Sequence, residues 1–233
     1  MFIKDEPTKT NKSWEPVKTG SHVAICYGVI DLGKQKNNFA QPGDRNEYKR
    51  DLMLAFEFCN DKTDNNGEKV PKVLTKRMGL SVAQTKQGVK STLRKILENW
   101  LGFTETKFNE GFDLSAELLG KPAIVTVTHK PRRDGNGIIE EITNVSAIVE
   151  GMPIPKMVNK PIDFSFPHVE PQAIALMAPE DKEAVLKRIE EITNSFKIRD
   201  RIKEGITYSA YKGEFPTSKG TVLTEVSEDQ LPF

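Results

Sequence analysis

Hydrophobic and polar positions alternate in two stretches near the start of the chain, separated by a long polar interval. Within 21–32, Val23, Ile25, Tyr27 and Val29 fall on one face, the period-two signature of a strand. Gly28 inside that run predicts a bulge or sharp bend. Residues 33–46 are polar and carry Gly33, Pro42 and Gly43, which predicts a long loop. In 47–60 one face holds Tyr48, Arg50, Leu52, Leu54, Phe56 and Phe58, and the other holds Lys49, Asp51, Met53, Ala55 and Glu57. This is a second strand. Asn66-Gly67 marks a hairpin turn over 61–67, and 69–80 is the returning strand. The period then changes. Val89, Leu93, Ile96, Leu97, Trp100 and Leu101 share one helical face over 88–101, opposite Lys90, Arg94, Lys95 and Glu98, and Gly102 closes the helix. A short helical turn is expected over 113–119. Two runs rich in Val, Ile and Thr, 121–130 and 138–150, flank a turn at 132–137 containing Asp134-Gly135.

Strand, long loop, strand, turn, strand, helix, strand, turn, strand is the order of an OB-fold, a five-stranded Greek-key barrel with its helix between strands three and four. The expected class is therefore mainly β with flanking helices, the barrel occupying 21–151. Residues 1–20 form a leader without hydrophobic period, in which Trp14 could pin the segment to the barrel. From 152 the chain changes character. Pro153, Pro155, Pro161, Pro167 and Pro171 mark an extended connector, and 179–203 reads as a charged helix whose Val185, Ile189, Ile192 and Phe196 dock on the barrel. Connector and helix together span 152–204. Polar residues 205–233 form a flexible tail.

Composition narrows the function classes. The chain has 233 residues, 37% hydrophobic and 29% charged, as a water-soluble globular protein has. No apolar run reaches the roughly 18 residues that a membrane span needs, and no signal or transit peptide is recognisable. Cys26 and Cys59 lie in apolar runs and read as buried thiols of a reducing compartment, the cytoplasm. With His22, His129 and His168 they do not make a zinc set, so no metal is expected. No phosphate-cradling loop, nucleophile elbow or H-E-x-x-H pair is present, and the acids Asp31, Asp51, Glu57 and Asp113 show no suggestive spacing. An enzyme is not expected.

The net charge of +1 hides a strong asymmetry. Between 70 and 97 there is no acidic residue, against Lys72, Lys76, Arg77, Lys86, Lys90, Arg94 and Lys95. The first loop and its flanks add Lys34, Lys36, Arg45, Lys49 and Arg50, and the last hairpin adds Lys130, Arg132 and Arg133. In an OB-fold these segments flank the binding face of strands two and three. Rings interleave with them: Phe39 in the first loop, Tyr27 on strand one, and Tyr48, Phe56 and Phe58 on strand two. Cations that follow phosphates beside rings that stack on bases are how single strands are held without sequence readout. Phe39 and Tyr48 are the stacking candidates; Phe56, Phe58 and Trp100 suit the core. The expected nucleic-acid contacts are Lys34, Lys36, Phe39, Arg45, Tyr48, Arg50, Lys72, Lys76, Arg77, Lys130, Arg132 and Arg133. A protein-binding adaptor or inhibitor using the same barrel, or an RNA binder, would fit the same pattern.

The chain ends Glu228-Asp229-Gln230-Leu231-Pro232-Phe233. A terminal Phe can enter an apolar pocket while its carboxylate meets an arginine at the rim and the preceding acids meet further cations, a mode of capture suited to protein partners. Glu228, Asp229, Leu231, Pro232 and Phe233 are the expected partner-binding tip. The tip is similar to the acidic, Pro-Phe-ending tip of bacterial single-stranded DNA-binding proteins, with Gln230 and Leu231 where those usually have Asp-Ile. The body, through residues 23–33, 91–100, 111–114 and 118–122, resembles phage-encoded single-stranded DNA-binding proteins over roughly 20–165. That resemblance implies a protein that coats and protects single-stranded DNA in phage replication, recombination and repair. It further implies recruitment of a polymerase, nuclease or helicase through the tip, no cofactor, and action in the cytoplasm of a bacterial host.

Overall fold

The structure is a computed structural model and describes residues 15–44, 46–65, 67–133, 135, 137–193, 198–216 and 222–223. Its body is an open, largely antiparallel sheet built from β1 (Gly20–Lys36), β2 (Tyr48–Asn65), β3 (Glu68–Gly79), β4 (Pro122–Pro131) and β5 (Ile138–Ser146), in the spatial order β3-β2-β1-β4-β5. Between β3 and β4 lie α1 (Thr92–Leu101), α2 (Glu105–Glu110) and α3 (Leu114–Leu118). The order of these elements is the expected one, with α2 added. A short strand, β6 (Ile162–Phe164), pairs parallel with the second half of β1. Four helices follow: α4 (Pro171–Ala175), α5 (Pro179–Glu191), α6 (Ile198–Lys203) and α7 (Ile206–Tyr211). A small ladder of β7 (Phe215–Pro216) and β8 (Val222–Leu223) comes last.

β1 has to serve three partners. It pairs with β4 from Gly20 to Ile25, with β2 from Ile25 to Lys36 and with β6 from Gly28 to Ile30. The register slips between Cys26 and Gly28. A Cβ on Gly28 would lie 2.8 Å from Ile30 Cδ1 and 2.9 Å from Ala55 Cβ, so only glycine fits where the strand bends. The helix begins later than its pattern predicts. Thr85 and Gly88 close a turn that leaves Val89 exposed, and Ser91 caps α1 by accepting from Arg94 N–H at 3.3 Å.

The sheet is buried on both faces. Leu52, Leu54, Phe56 and Phe58 face one core with Leu93, Ile96, Leu97 and Trp100 of α1 and with Val125, Val127 and Ile142 of β4 and β5. Tyr27, Ile30, Met53, Ala55 and Val73, on the other face, join Phe164, Phe166, Ile174, Ile189, Ile198, Ile202 and Tyr211. The second core explains where the chain after 151 goes: it is a packed layer on β1 and β2. Two buried carboxylates tie it down. Glu57 accepts from Val158 N–H, Asn159 N–H and Asn159 Nδ2–H, each at 2.7 Å, and from the Cys59 thiol. Asp31 accepts from Phe166 N–H at 3.2 Å, from Gly33 N–H and from Arg50.

The boundary expected at 205 therefore shifts. α7 is buried at Thr207, Ala210 and Tyr211, and Thr207 donates to Val169 O and accepts from Lys34 N–H. A Cβ on Gly33, whose φ is +68, would strike Thr207 at 2.7 Å, so this glycine admits α7 against β1. The expected single helix over 179–203 is two, α5 and α6. Phe196, Trp14 and the last ten residues, 224–233, lie outside the described residues.

At the opposite end, residues 15–18 form a strap from β3 to β5. Val17 is buried in the first core, its N–H donating to Glu140 and its carbonyl facing His129 Nε2 at 2.7 Å. Lys72 Nζ donates to Pro16 O at 3.1 Å.

Candidate nucleic-acid interface

No backbone ladder joins the two edge strands, β3 and β5, among the described residues. They approach each other through a side chain instead: Lys76 Nζ donates to Ile142 O at 2.5 Å. The gap between them is a cleft of about 390 Å³, lined by Thr75, Lys76 and Arg77 from β3 and by Lys130, Arg133 and Ile139 from the β4–β5 hairpin, with Glu140 and Glu141 on the β5 side. Four of the expected contacts thus converge from two parts of the chain more than fifty residues apart.

Register decides how each cation is presented. On β3, Leu74 and Met78 point into the first core, so Lys72 and Lys76 share the inward side, while Arg77 shares the outward side with Val73. Lys76 is half-buried. Its burial holds the ammonium below the ordinary lysine value, with Glu141 opposing that shift and Lys130 adding to it. Arg77 is anchored through Nε to the buried Asp51 at 2.7 Å, with Nη2 at 3.5 Å from Gln35 Oε1. Its guanidinium therefore reaches from the first-loop end of the sheet into the cleft. Lys130 is 62% exposed in its side chain and pairs with Glu141. Arg132 and Arg133 are exposed, Arg132 Nε donating weakly to Ile138 O at 3.4 Å. Ile138 and Ile139 expose apolar surface beside these charges.

The first loop is ordered by its own polar groups. Asn37 N–H donates to Glu47 O, Gln41 N–H to Asp44 and Gly43 N–H to Glu47 Oε2. Phe39 at its tip is 96% exposed, a ring without a stacking partner among the described residues. Tyr48, at the base of the loop, is half-buried. Burial and then the neighbouring Glu47 push its hydroxyl pKa above the usual tyrosine value. Lys36 is exposed, and Lys34 pairs with Glu170 at 2.6 Å. Arg45 and the tip residues Glu228, Asp229, Leu231, Pro232 and Phe233 lie outside the described residues.

Several expected cations have structural duties instead. Lys72 stands apart from the cleft: it is 4% exposed and held by Asp61 at 2.8 Å, Glu15 and the Pro16 carbonyl. Arg50 grips the buried Asp31 through Nε and Nη2. Arg94 is buried between Glu98 and Glu105, 4.4 Å over the Phe108 ring, and Lys90 pairs with Glu98. Four of the seven cations between 70 and 97, Lys72, Arg77, Lys90 and Arg94, pair with acids from outside that stretch. Of the rings, Tyr27, Phe56, Phe58 and Trp100 are all buried.

Both thiols are buried and unpaired with one another. Burial raises each to about 12; the carbonyl of Gly28 opposes this at Cys26, and Glu57 reinforces it at Cys59. No group of three or more His, Cys, Asp or Glu that could hold a metal ion exists among the described residues, and no helix there is long and apolar enough to cross a membrane. Sequence reasoning missed the roles of Asp31 and Glu57. The signal available was a lone carboxylate among apolar neighbours: Glu57 on the outward face of β2 with Met53 and Ala55, and Asp31 on the side of β1 that carries Val29 and faces Leu52. No protein-family model matches the chain, and no curated protein matches its sequence.

Proposed function

We propose that this protein binds single-stranded DNA along the cleft between β3 and β5, with Phe39 as a stacking ring at the end of the first loop. In this reading the sheet is an OB-type barrel, and β3 and β5 are the strands that close it. The observation that carries the reading is the convergence of Lys76, Arg77, Lys130 and Arg133 on one cleft, bordered by the exposed Ile138 and Ile139. A flexible strand can offer phosphates to the cations and ring faces to the apolar surface together, as duplex, with its bases stacked inside, cannot. The pair of Lys130 with Glu141 is solvent-exposed and worth about 0–1 kcal/mol, so a phosphate can take the acid's place at little cost. The sequence resemblance to phage single-stranded DNA-binding proteins supports a role in phage replication, recombination and repair, in the cytoplasm of a bacterial host. There the tip 228–233 would recruit a polymerase, nuclease or helicase.

Titration of fluorescent oligo-dT, oligo-U and duplex DNA at several salt concentrations tests the proposal. Tight binding to oligo-dT with weak binding to duplex is expected. Equal affinity for duplex refutes it, preference for oligo-U favours an RNA strand, and failure to shift any oligonucleotide leaves a protein-binding module.

A further inference from the structure

Tyr27 lies on the outward face of β1, 2% exposed. It lines a cleft of about 290 Å³ where β1 meets the 159–162 stretch and the end of α5, two strands from either edge of the sheet. Buried tyrosines usually give their hydroxyl a partner. Among the described residues this one has none. Burial first, then the charge of Glu57 and the Cys26 thiol, raise its pKa, so it remains a phenol with a proton to donate.

The walls around that donor are mixed. Pro161, Ile162 and Ile192 are apolar, Lys160 and Arg188 are cationic, and Glu191, beside Arg188, is acidic. Lys160 is exposed and makes no ion pair among the described residues. Arg188 donates through Nη2 to Asp163 O at 3.3 Å, and its Nη1 stands 3.5 Å from Glu191, so neither contact saturates the guanidinium. The acid beneath, Glu57, is sealed by its four donors and offers no free lone pair to the cleft. A bare anion would leave the phenol and the apolar wall unused. A ligand with an apolar or planar body, an acceptor oxygen and an anionic end would use all three, and the volume sits at the small end of ligand sites.

We propose that this cleft binds a small phosphate ester of mononucleotide size, its phosphate at Lys160 and Arg188 and an acceptor oxygen at the Tyr27 hydroxyl. The site is separate from the β3–β5 cleft, and its existence does not depend on strand binding there. The same ester chemistry is found in a free nucleotide and in the phosphorylated end of a strand.

Calorimetric titration of the full chain with thymidine monophosphate, thymidine and inorganic phosphate at fixed ionic strength tests it. Saturable binding of the monophosphate is expected, with thymidine and phosphate each at least about tenfold weaker. Tyr27→Phe should weaken the monophosphate about tenfold, the worth of one hydrogen bond. It should leave thermal unfolding without ligand unchanged, because the hydroxyl it removes has no partner among the described residues. Lys160→Gln, at an exposed position, should weaken binding while leaving the fold intact. Displacement by a 5′-phosphorylated oligonucleotide and not by its unphosphorylated counterpart assigns the site to strand ends; displacement by neither assigns it to free nucleotides. The proposal is overturned by absence of monophosphate binding, by equal affinity for inorganic phosphate, by indifference to both substitutions, by loss of stability in Tyr27→Phe without ligand, or by displacement with the unphosphorylated oligonucleotide.

Discussion

The salt dependence of strand binding separates cations that meet phosphate from those that only hold the fold. Lys36, Arg77, Lys130, Arg132 and Arg133 are the candidate contacts with exposed charge, while Lys72 is buried on Asp61. Each neutralised phosphate on a single strand adds about −0.7 to the slope of log K against log salt, so five contacts give about −3.5. Between 50 and 200 mM salt that is a loss of roughly 130-fold in affinity. Arg133→Gln should bring the slope to about −2.8 and the loss to roughly 50-fold. Lys72→Met is the control. It should leave the slope unchanged and reduce stability by about 1–3 kcal/mol, since it strips Asp61 and the Pro16 carbonyl of a donor. Fluorescence titration with oligo-dT at four salt concentrations, alongside urea unfolding of each variant, reads both quantities. A slope that drops for Lys72→Met and not for Arg133→Gln would refute the assignment of the cleft.

Phe39→Ala should weaken oligo-dT binding by about 1–3 kcal/mol, the worth of one stacked base, and leave the thermal midpoint unchanged because the ring touches no core; a titration paired with a melting curve checks both. Glu57→Gln should lower the unfolding free energy by about 3 kcal/mol or more, because a carboxamide turns an N–H₂ toward some of the donors the carboxylate accepts, and a urea midpoint that barely moves would show that the C-terminal layer is held otherwise. Alkaline stability follows from the thiols. Cys26 and Cys59 have folded pKa values of about 12, above the ordinary value of 9.0. Their neutral forms favour the fold fully below pH 9, and that contribution is lost as pH rises toward 12. Thermal midpoints should fall across this window, and replacing both cysteines with alanine should flatten the fall.

The strand order was legible because period two and glycine-bearing turns announce themselves locally. The C-terminal layer was not. β6 is three residues long and pairs with Gly28–Ile30 across more than a hundred positions. Asp31 and Glu57 looked like scattered acids, yet each is spent on backbone N–H groups of that layer. The basic stretch misled in a related way. Arg94 and Lys90 are cancelled by Glu98 and Glu105, a pairing that only helix geometry and the following turn create. Lys72 and Lys76 read alike in sequence. One meets the strap and Asp61, and the other meets the gap between strands.

The two cores bear on where a strand could lie. An OB-type sheet is expected to bind across strands two and three, but here Met53, Ala55 and Val73 are already covered by the layer that follows residue 151. Outward positions left to a ligand are those beyond the layer's reach, Thr75 and Arg77 on β3. Across the gap from them are the β5 residues and the hairpin arginines. Lys76 spans that gap by giving its ammonium to the Ile142 carbonyl, which a paired strand would otherwise satisfy through its backbone. Full closure by a ladder would remove the cleft, and full opening would expose the Leu74 and Met78 side of the core. A lysine at 76, long enough to cross and half-buried enough to stay, holds the sheet between those limits and leaves a basic slot at its edge.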